Sequence, residues 1–191
     1  MKTIEWQRGA VRFLDQTRLP QEEVYVVTRD AGVIAEAIRA LRIRGAPAIG
    51  VAAAYGVALA AAGEPRAGAE QRTCTAETIR LLRGTRPTAV NLFKALDRME
   101  RTLQSCRADD ELAAALLKEA HSIHREDIEA CRRIGELGAA LLRPGTSVLT
   151  HCNAGALATT GIGTALGVIV AAHRQGKIRR VYAGETRPLL Q

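Results

Sequence analysis

Aromatic side chains are scarce in this sequence of 191 residues: one Trp, three Tyr and two Phe make up 3% of the chain. Single-stranded nucleic acids are held on rows of such rings, so that class of partner is disfavoured. A net charge of +7 does not reverse this, because the basic residues are scattered and only Lys177-Ile178-Arg179-Arg180 forms a cluster. Long apolar runs are also lacking. The longest, Ala46 to Ala62, contains Gly50 and Gly56 and consists mostly of small residues, which is short of a membrane span. The first residues show none of the zones of a secretory leader. Cys74, Cys106, Cys131 and Cys152 include no CxxC pair, which argues against a zinc ribbon or a redox dithiol. The expectation is a reduced, cytoplasmic protein with no membrane partner, no metal and no cofactor.

What is present is an ordinary globular mixture, 47% hydrophobic and 25% charged. Residues 3–6, 10–14 and 23–27 are β-rich and separated by turn signals, which predicts a small antiparallel sheet. Asp30 caps a predicted helix carrying Val33, Ile34, Ala37, Ile38 and Leu41. Further helical patterns cover 48–62, 67–83, 88–105 and 109–142. From residue 146 the grammar changes to strand (147–150), loop (151–155), helix (156–175) and strand (180–183), the opening unit of a parallel sheet. The fold class is therefore α/β. A small antiparallel sheet and helical region (1–108) is followed by a long helical connection (109–143) and the first strand–helix–strand of a Rossmann-like region (144–191). Parallel sheets are normally covered on both faces, so the expectation is that these residues form the front half of a larger protein.

Three loops carry candidate chemistry. In Arg44-Gly45-Ala46-Pro47, Pro47 suits the first turn of a helix and Gly45 lets the backbone approach a ligand. The Arg44 guanidinium and the free amides of that helix start would make a phosphate cradle; the alternative is a helix–helix corner with a solvated arginine. Arg86-Pro87-Thr88 repeats the layout, with Thr88 as cap and Arg86 reaching outward, or else is a plain surface turn. His151-Cys152-Asn153-Ala154-Gly155 follows a predicted parallel strand, on the edge where open α/β sheets bind ligands. There Cys152 is either an acid/base or nucleophilic thiol or a buried structural one. Two patterns are set aside. Gly161, Gly163 and Gly167 have the wrong spacing and place for a dinucleotide fingerprint. His121 and His124, with Glu119 and Asp127 nearby, read as a solvated helix face rather than a metal site. Cys74, Cys106 and Cys131 are assigned to packing.

Taken together, the segments 43–56, 86–92, 149–159, 163–169 and 185–191 resemble the methylthioribose-1-phosphate isomerase family, aldose–ketose isomerases of methionine salvage. Ribose-1,5-bisphosphate isomerases and regulatory subunits of the translation-initiation guanine-exchange factor share that fold. The resemblance implies conversion of 5-methylthioribose 1-phosphate to the ketose. It implies that Arg44, Gly45, Ala46, Arg86 and Gln191 bind the substrate and that Cys152 is catalytic. It also implies a homodimer in the complete protein, and a catalytic aspartate and a Lys-bearing segment that lie farther along than residue 191. Lys94 and Ile162 depart from the common residues of the family, and both read as packing variation. The alternatives are a non-catalytic sugar-phosphate-binding or regulatory member of the same fold, and a ribose-1,5-bisphosphate isomerase.

Overall fold

A computed structural model describes residues 2–63 and 68–185. Strands β1 (Ile4–Gln7), β2 (Ala10–Leu14) and β3 (Tyr25–Thr28) form an antiparallel sheet in that order. Val11 and Phe13 of β2 are fully buried and turn the sheet toward the helices. Helix α1 (Ala31–Arg39) starts at Asp30, whose carboxylate accepts a hydrogen bond from the Gly32 amide at 2.7 Å.

Helix α2 (Ala46–Ala62) is the axis of the molecule. Thirteen of its 17 residues are buried, so it has no solvent face, as expected for a helix that is apolar all round. Its Ala and Gly content lets neighbours approach closely. Helices α3 (Gly68–Arg83), α4 (Val90–Ser105) and the first half of α5 (Leu112–Ala140) pack around it, together with α1, β1 and β2. The resulting core includes Ile34, Ile38, Tyr55, Leu82, Leu92, Leu96, Met99, Leu112 and Leu116.

The second half of α5 packs on α6 (Ala165–Arg174), which crosses between the parallel pair β4 (Thr146–Thr150) and β5 (Ile178–Ala183). Leu149, Val181 and Tyr182 of this pair are 79%, 41% and 50% exposed, so the described residues leave part of the two-stranded sheet uncovered. The predicted helix over 156–175 is corrected: the structure has a 3-10 turn at Ala156–Ala158, an irregular stretch, and then α6. Gly163 adopts φ +94°, and a methyl group there would lie 2.6 Å from the Gly155 Cα. This left-handed, crowded backbone ends any helix before residue 164.

Thr88 does not cap α4. The Ala89 amide donates to the Arg86 carbonyl at 3.2 Å, closing a turn, and Ala89 takes the N-cap position without a side-chain hydrogen bond. The turn uses up the residues that the sequence pattern assigned to the helix start. Among the described residues no helix is long and apolar enough to cross a membrane.

Candidate functional site

The site begins at the turn into α2. Gly45 adopts φ +99°, a conformation that side chains disfavour. Its carbonyl accepts from Ile49 at 2.9 Å and starts the helix. Gly45 offers no side chain to cap α2, and the first turn holds no acidic residue. The Ala46 and Ala48 amides therefore gain no side-chain acceptor from the cap, the condition under which a helix start takes an anion. Arg44 and Gly45 are half-buried and Ala46 is exposed.

That turn lies directly on the chain that follows β4. A methyl group at Gly45 would fall 2.5 Å from the Ala158 carbonyl oxygen, so the glycine and the 3-10 turn touch backbone to backbone. Cys152 is four residues before this turn, exposed, at φ +70°. Non-glycine residues seldom hold that conformation, and when they do the strain tends to sit at functional positions. Beside it, the His151 ring approaches the end of β5, with its Nδ1 3.1 Å from where a Gly184 methyl would stand. The thiol turn therefore occupies the carboxyl edge of the parallel pair.

The Arg86 turn joins through the helices. One turn into α2, Gly50 packs against the start of α4, where a methyl group would meet the Asn91 carbonyl oxygen at 2.9 Å. Arg86 is half-buried in the turn just before that helix. Contacts thus run from the Arg86 turn through α4 to α2, and from Gly45 to the segment after Cys152. Gln191 lies outside the described residues.

The two main parts of the site share one support. At the end of β2, the Gln16 amide N–H donates to the Arg42 carbonyl at 2.9 Å and its side-chain Nε2 donates to the Leu157 carbonyl at 2.7 Å. Arg42 precedes the Arg44 turn by two residues and its guanidinium is paired with Asp15 at 2.8 Å. Burial works against the Asp15 carboxylate, but hydrogen bonds from Thr17 and Arg42 outweigh it and hold its pKa below the usual value. The Thr3 hydroxyl donates to the Thr159 carbonyl at 2.7 Å. Neither Thr3 nor Gln16 carries a motif, and these contacts span 156 and 141 residues of chain, so no local spacing could have signalled them.

An open cleft of about 240 Å³ lies beside the α2 start, among Pro47 and Gly50, Asn91 and Lys94, and Glu126 and Asp127. Arg44, Arg86 and Cys152 do not line it. Lys94 is exposed at this cleft rather than packed; Ile162 does pack, against Gly167 and Gly135.

The histidine pair is not a solvated face. Tyr55 of α2 is buried, and its hydroxyl lies 3.1 Å from His121 Nδ1 and 2.7 Å from His124 Nδ1. A phenol has one hydrogen, so with both imidazoles neutral it donates to one ring and accepts from the other. Trp6 stacks at 5.7 Å from the Tyr55 ring. Burial raises the Tyr55 pKa to about 12 and lowers both histidines. The aromatic scarcity of the sequence conceals that Trp6 and Tyr55 meet the two imidazoles here, four rings tying β1, α2 and α5 together. Among the described residues no group of three or more His, Cys, Asp or Glu forms a metal site. Cys131 is buried, and Cys74 and Cys106 are half-buried, as packing residues are.

Comparison with known proteins adds the context. Residues 42–191 match the family described as Initiation factor 2 subunit family. Over 195 aligned residues the chain is 50% identical to a methylthioribose-1-phosphate isomerase of Pseudomonas aeruginosa, covering all of this chain and 54% of that protein. The figure is 52% over 192 residues for the protein of the same name from Dehalococcoides mccartyi, of which 58% is covered. Among solved structures, 5-methylthioribose 1-phosphate isomerase from Pyrococcus horikoshii superposes with a TM-score of 0.93 at 39% identity, over 100% of this chain and 54% of that one. Translation initiation factor eIF-2B, subunit delta, from A. fulgidus superposes with a TM-score of 0.88 at 44% identity, over 100% of this chain and 56% of that one. The chain spans a little over half the length of the relatives it matches.

Proposed function

The chain belongs to the Initiation factor 2 subunit family, and from that premise we propose that it carries the phosphate-binding turns and the reactive thiol of a methylthioribose-1-phosphate isomerase. In this reading Arg44, Gly45, Ala46, Arg86 and Gln191 hold the substrate and Cys152 takes part in proton handling. The observation that carries it is the backbone contact between Gly45 and Ala158, which sets an uncapped helix start against the segment that follows the thiol turn. Identities of 50% and 52% to isomerases of that name support the choice of substrate.

The chemistry matches such a site. In a furanose 1-phosphate the anomeric carbon is blocked, so the ring must open while the ester stays attached. An acid protonates the ring oxygen as its bond to C1 breaks. The hydrogen on C2 then ends on C1, either as hydride or through an enediol, and the C2 hydroxyl loses its proton to become the ketone. Nothing is added or lost, so no external redox partner is needed. The dianionic ester needs cationic and amide anchors throughout, which the Arg44 turn and the Arg86 turn supply. Cys152 acts as one proton-handling group, and the acid for the ring oxygen comes from outside these 191 residues. The complete protein works as a cytoplasmic homodimer on a small sugar phosphate, without a nucleic-acid or membrane partner. Its regions divide at 1–108, 109–143 and 144–191.

The test is a phosphorus NMR titration of 5-methylthioribose 1-phosphate with the chain. The expected result is a shifted and broadened phosphate resonance, with the titration moved to higher concentration by Arg44→Ala, and turnover to the ketose once the remaining length of an isomerase relative is supplied. No binding at millimolar concentration contradicts the reading. A second reading, a sugar-phosphate-binding member without catalysis, draws on the 44% identity to the eIF-2B subunit delta structure. It predicts binding with no product in either experiment.

A further inference from the structure

Asp127 of α5 reaches across to the segment that follows the thiol turn. Its Oδ2 accepts the Thr160 amide at 2.7 Å and the Thr160 hydroxyl at 2.5 Å, 33 residues away in the chain. Below it on the same helix, Cys131 packs under Gly161 and Gly135 under the Gly167 carbonyl. Residues 127, 131 and 135 are four apart, so they form one stripe along α5, and that stripe is the bed for residues 160–167. From the opposite side Thr3 holds the Thr159 carbonyl and Gln16 the Leu157 carbonyl, each at 2.7 Å. The stretch 157–160 is therefore clamped between the N-terminal sheet and α5. The clamp passes back to the thiol turn because the Thr164 amide donates to the Ala154 carbonyl at 2.9 Å. His151, Cys152 and Asn153 are exposed, and among the described residues none of them makes a side-chain hydrogen bond. Their placement depends on β4 before them and on the clamp after them.

We infer that Asp127 is a positioning residue for Cys152, fixing the thiol turn through Thr160. The inference rests on the proposed role of Cys152, since positioning matters to turnover only where the thiol acts. A charged carboxylate oxygen receiving two hydrogens at once is a strong anchor, and displacement of a reacting group by about 1 Å lowers rate by about 10²-fold. The sequence pattern set Asp127 beside the two histidines on a solvated helix face. In the structure its partner is Thr160.

Two readouts on the chain itself test the inference. One is the pH–rate profile of Cys152 alkylation by iodoacetamide, followed by peptide mass spectrometry. The other is amide hydrogen exchange over residues 152–164. Asp127→Ala is expected to shift that profile and to speed exchange across the segment by about tenfold or more, with α1 and α3 unchanged. Asp127→Asn keeps an acceptor oxygen for Thr160 and is expected to restore both. Thr160→Val, which removes only the hydroxyl, gives an intermediate effect and serves if Asp127→Ala fails to fold. Wild-type alkylation and exchange in both Asp127→Ala and Thr160→Val overturn the inference, as does Asp127→Asn behaving like the alanine variant. Where turnover is measured, Asp127→Ala is expected to lower kcat by about 10- to 100-fold with KM changed far less. Loss of kcat in Cys152→Ser but not in Asp127→Ala refutes this inference alone. Full kcat in Cys152→Ser refutes the functional reading on which it rests.

Discussion

Gly45 and Ala158 meet backbone to backbone although 113 residues separate them in the chain: a methyl group on Gly45 would lie 2.5 Å from the Ala158 carbonyl oxygen. Gly45→Ala meets both this clash and a φ of +99°. We expect a loss of about 1–3 kcal/mol from the backbone conformation alone, read as a lower denaturant midpoint. Binding of a sugar phosphate should weaken in parallel, because the turn and the thiol segment must separate. A neutral Gly45→Ala variant would mean that the two segments do not touch in solution.

Removal of either guanidinium proposed to anchor the phosphate should show in affinity first. A hydrogen bond to a charged group contributes about 1.5–3 kcal/mol, so Arg44→Ala and Arg86→Ala should each raise Kd for the sugar phosphate by about 10- to 100-fold. Calorimetric titration measures this directly. An unchanged Kd in Arg86→Ala would return that turn to a purely structural role.

Cys152→Ser should separate binding from chemistry. A lost acid/base group lowers kcat by about 10² or more, while the serine, nearly the same size, leaves ester binding within about threefold. The measurement is single-turnover kinetics beside a titration. Equal losses in both would indicate that residue 152 shapes the pocket instead.

Acid should loosen the junction around Tyr55. Burial lowers the pKa of both His121 and His124 in the folded chain, so near pH 6 the unfolded chain binds more protons than the folded one. Stability is then fully present above the ordinary histidine value of about 6.5 and falls as the pH drops from there toward the lowered folded values. Around His124, Asp127 and Glu5 oppose this shift, while His121 and Lys2 reinforce it; Arg125 reinforces it at His121. Tm measured between pH 8 and pH 5 should decline over that window, ahead of the more acidic loss from Asp15 and Glu126, whose pKa values are also lowered. Tyr55→Phe leaves two half-buried imidazoles without their shared partner and should lower stability at pH 8 by about 0.5–1.5 kcal/mol.

Local chemistry made much of this fold readable in advance. β-Rich composition between turn signals marked β1 to β3, Asp30 marked the start of α1, and Pro47 marked the first turn of α2. The candidate loops were visible because glycine, proline and arginine cluster at helix starts for a stated steric and electrostatic reason. What stayed hidden was tertiary. Thr3, Gln16 and Asp127 act on carbonyls and amides of a distant segment, and a residue's reach across 33 to 156 positions leaves no periodic trace. The same cause explains two misreadings. Residues 159–164 lie inside a Gly/Ala-rich apolar stretch that reads as one helix, but the left-handed Gly163 breaks it and contacts with Asp127 of α5 and with Thr3 hold the segment irregular. The His121–His124 pair looked wet because α5 is highly charged, yet Tyr55 comes up beneath it from another helix.

The rod formed by Ala46–Ala62 has a mechanical implication. Its 17 residues give a length of about 25 Å at about 1.5 Å per residue, with the Gly45 turn at one end and the side facing α3 toward the other. Pivoting such a lever by about 5° about its far end would carry the tip through roughly 2 Å, more than a phosphate contact tolerates. Bulky replacements deep among its alanines, remote from any ligand, would thus act at a distance by steering where that tip points.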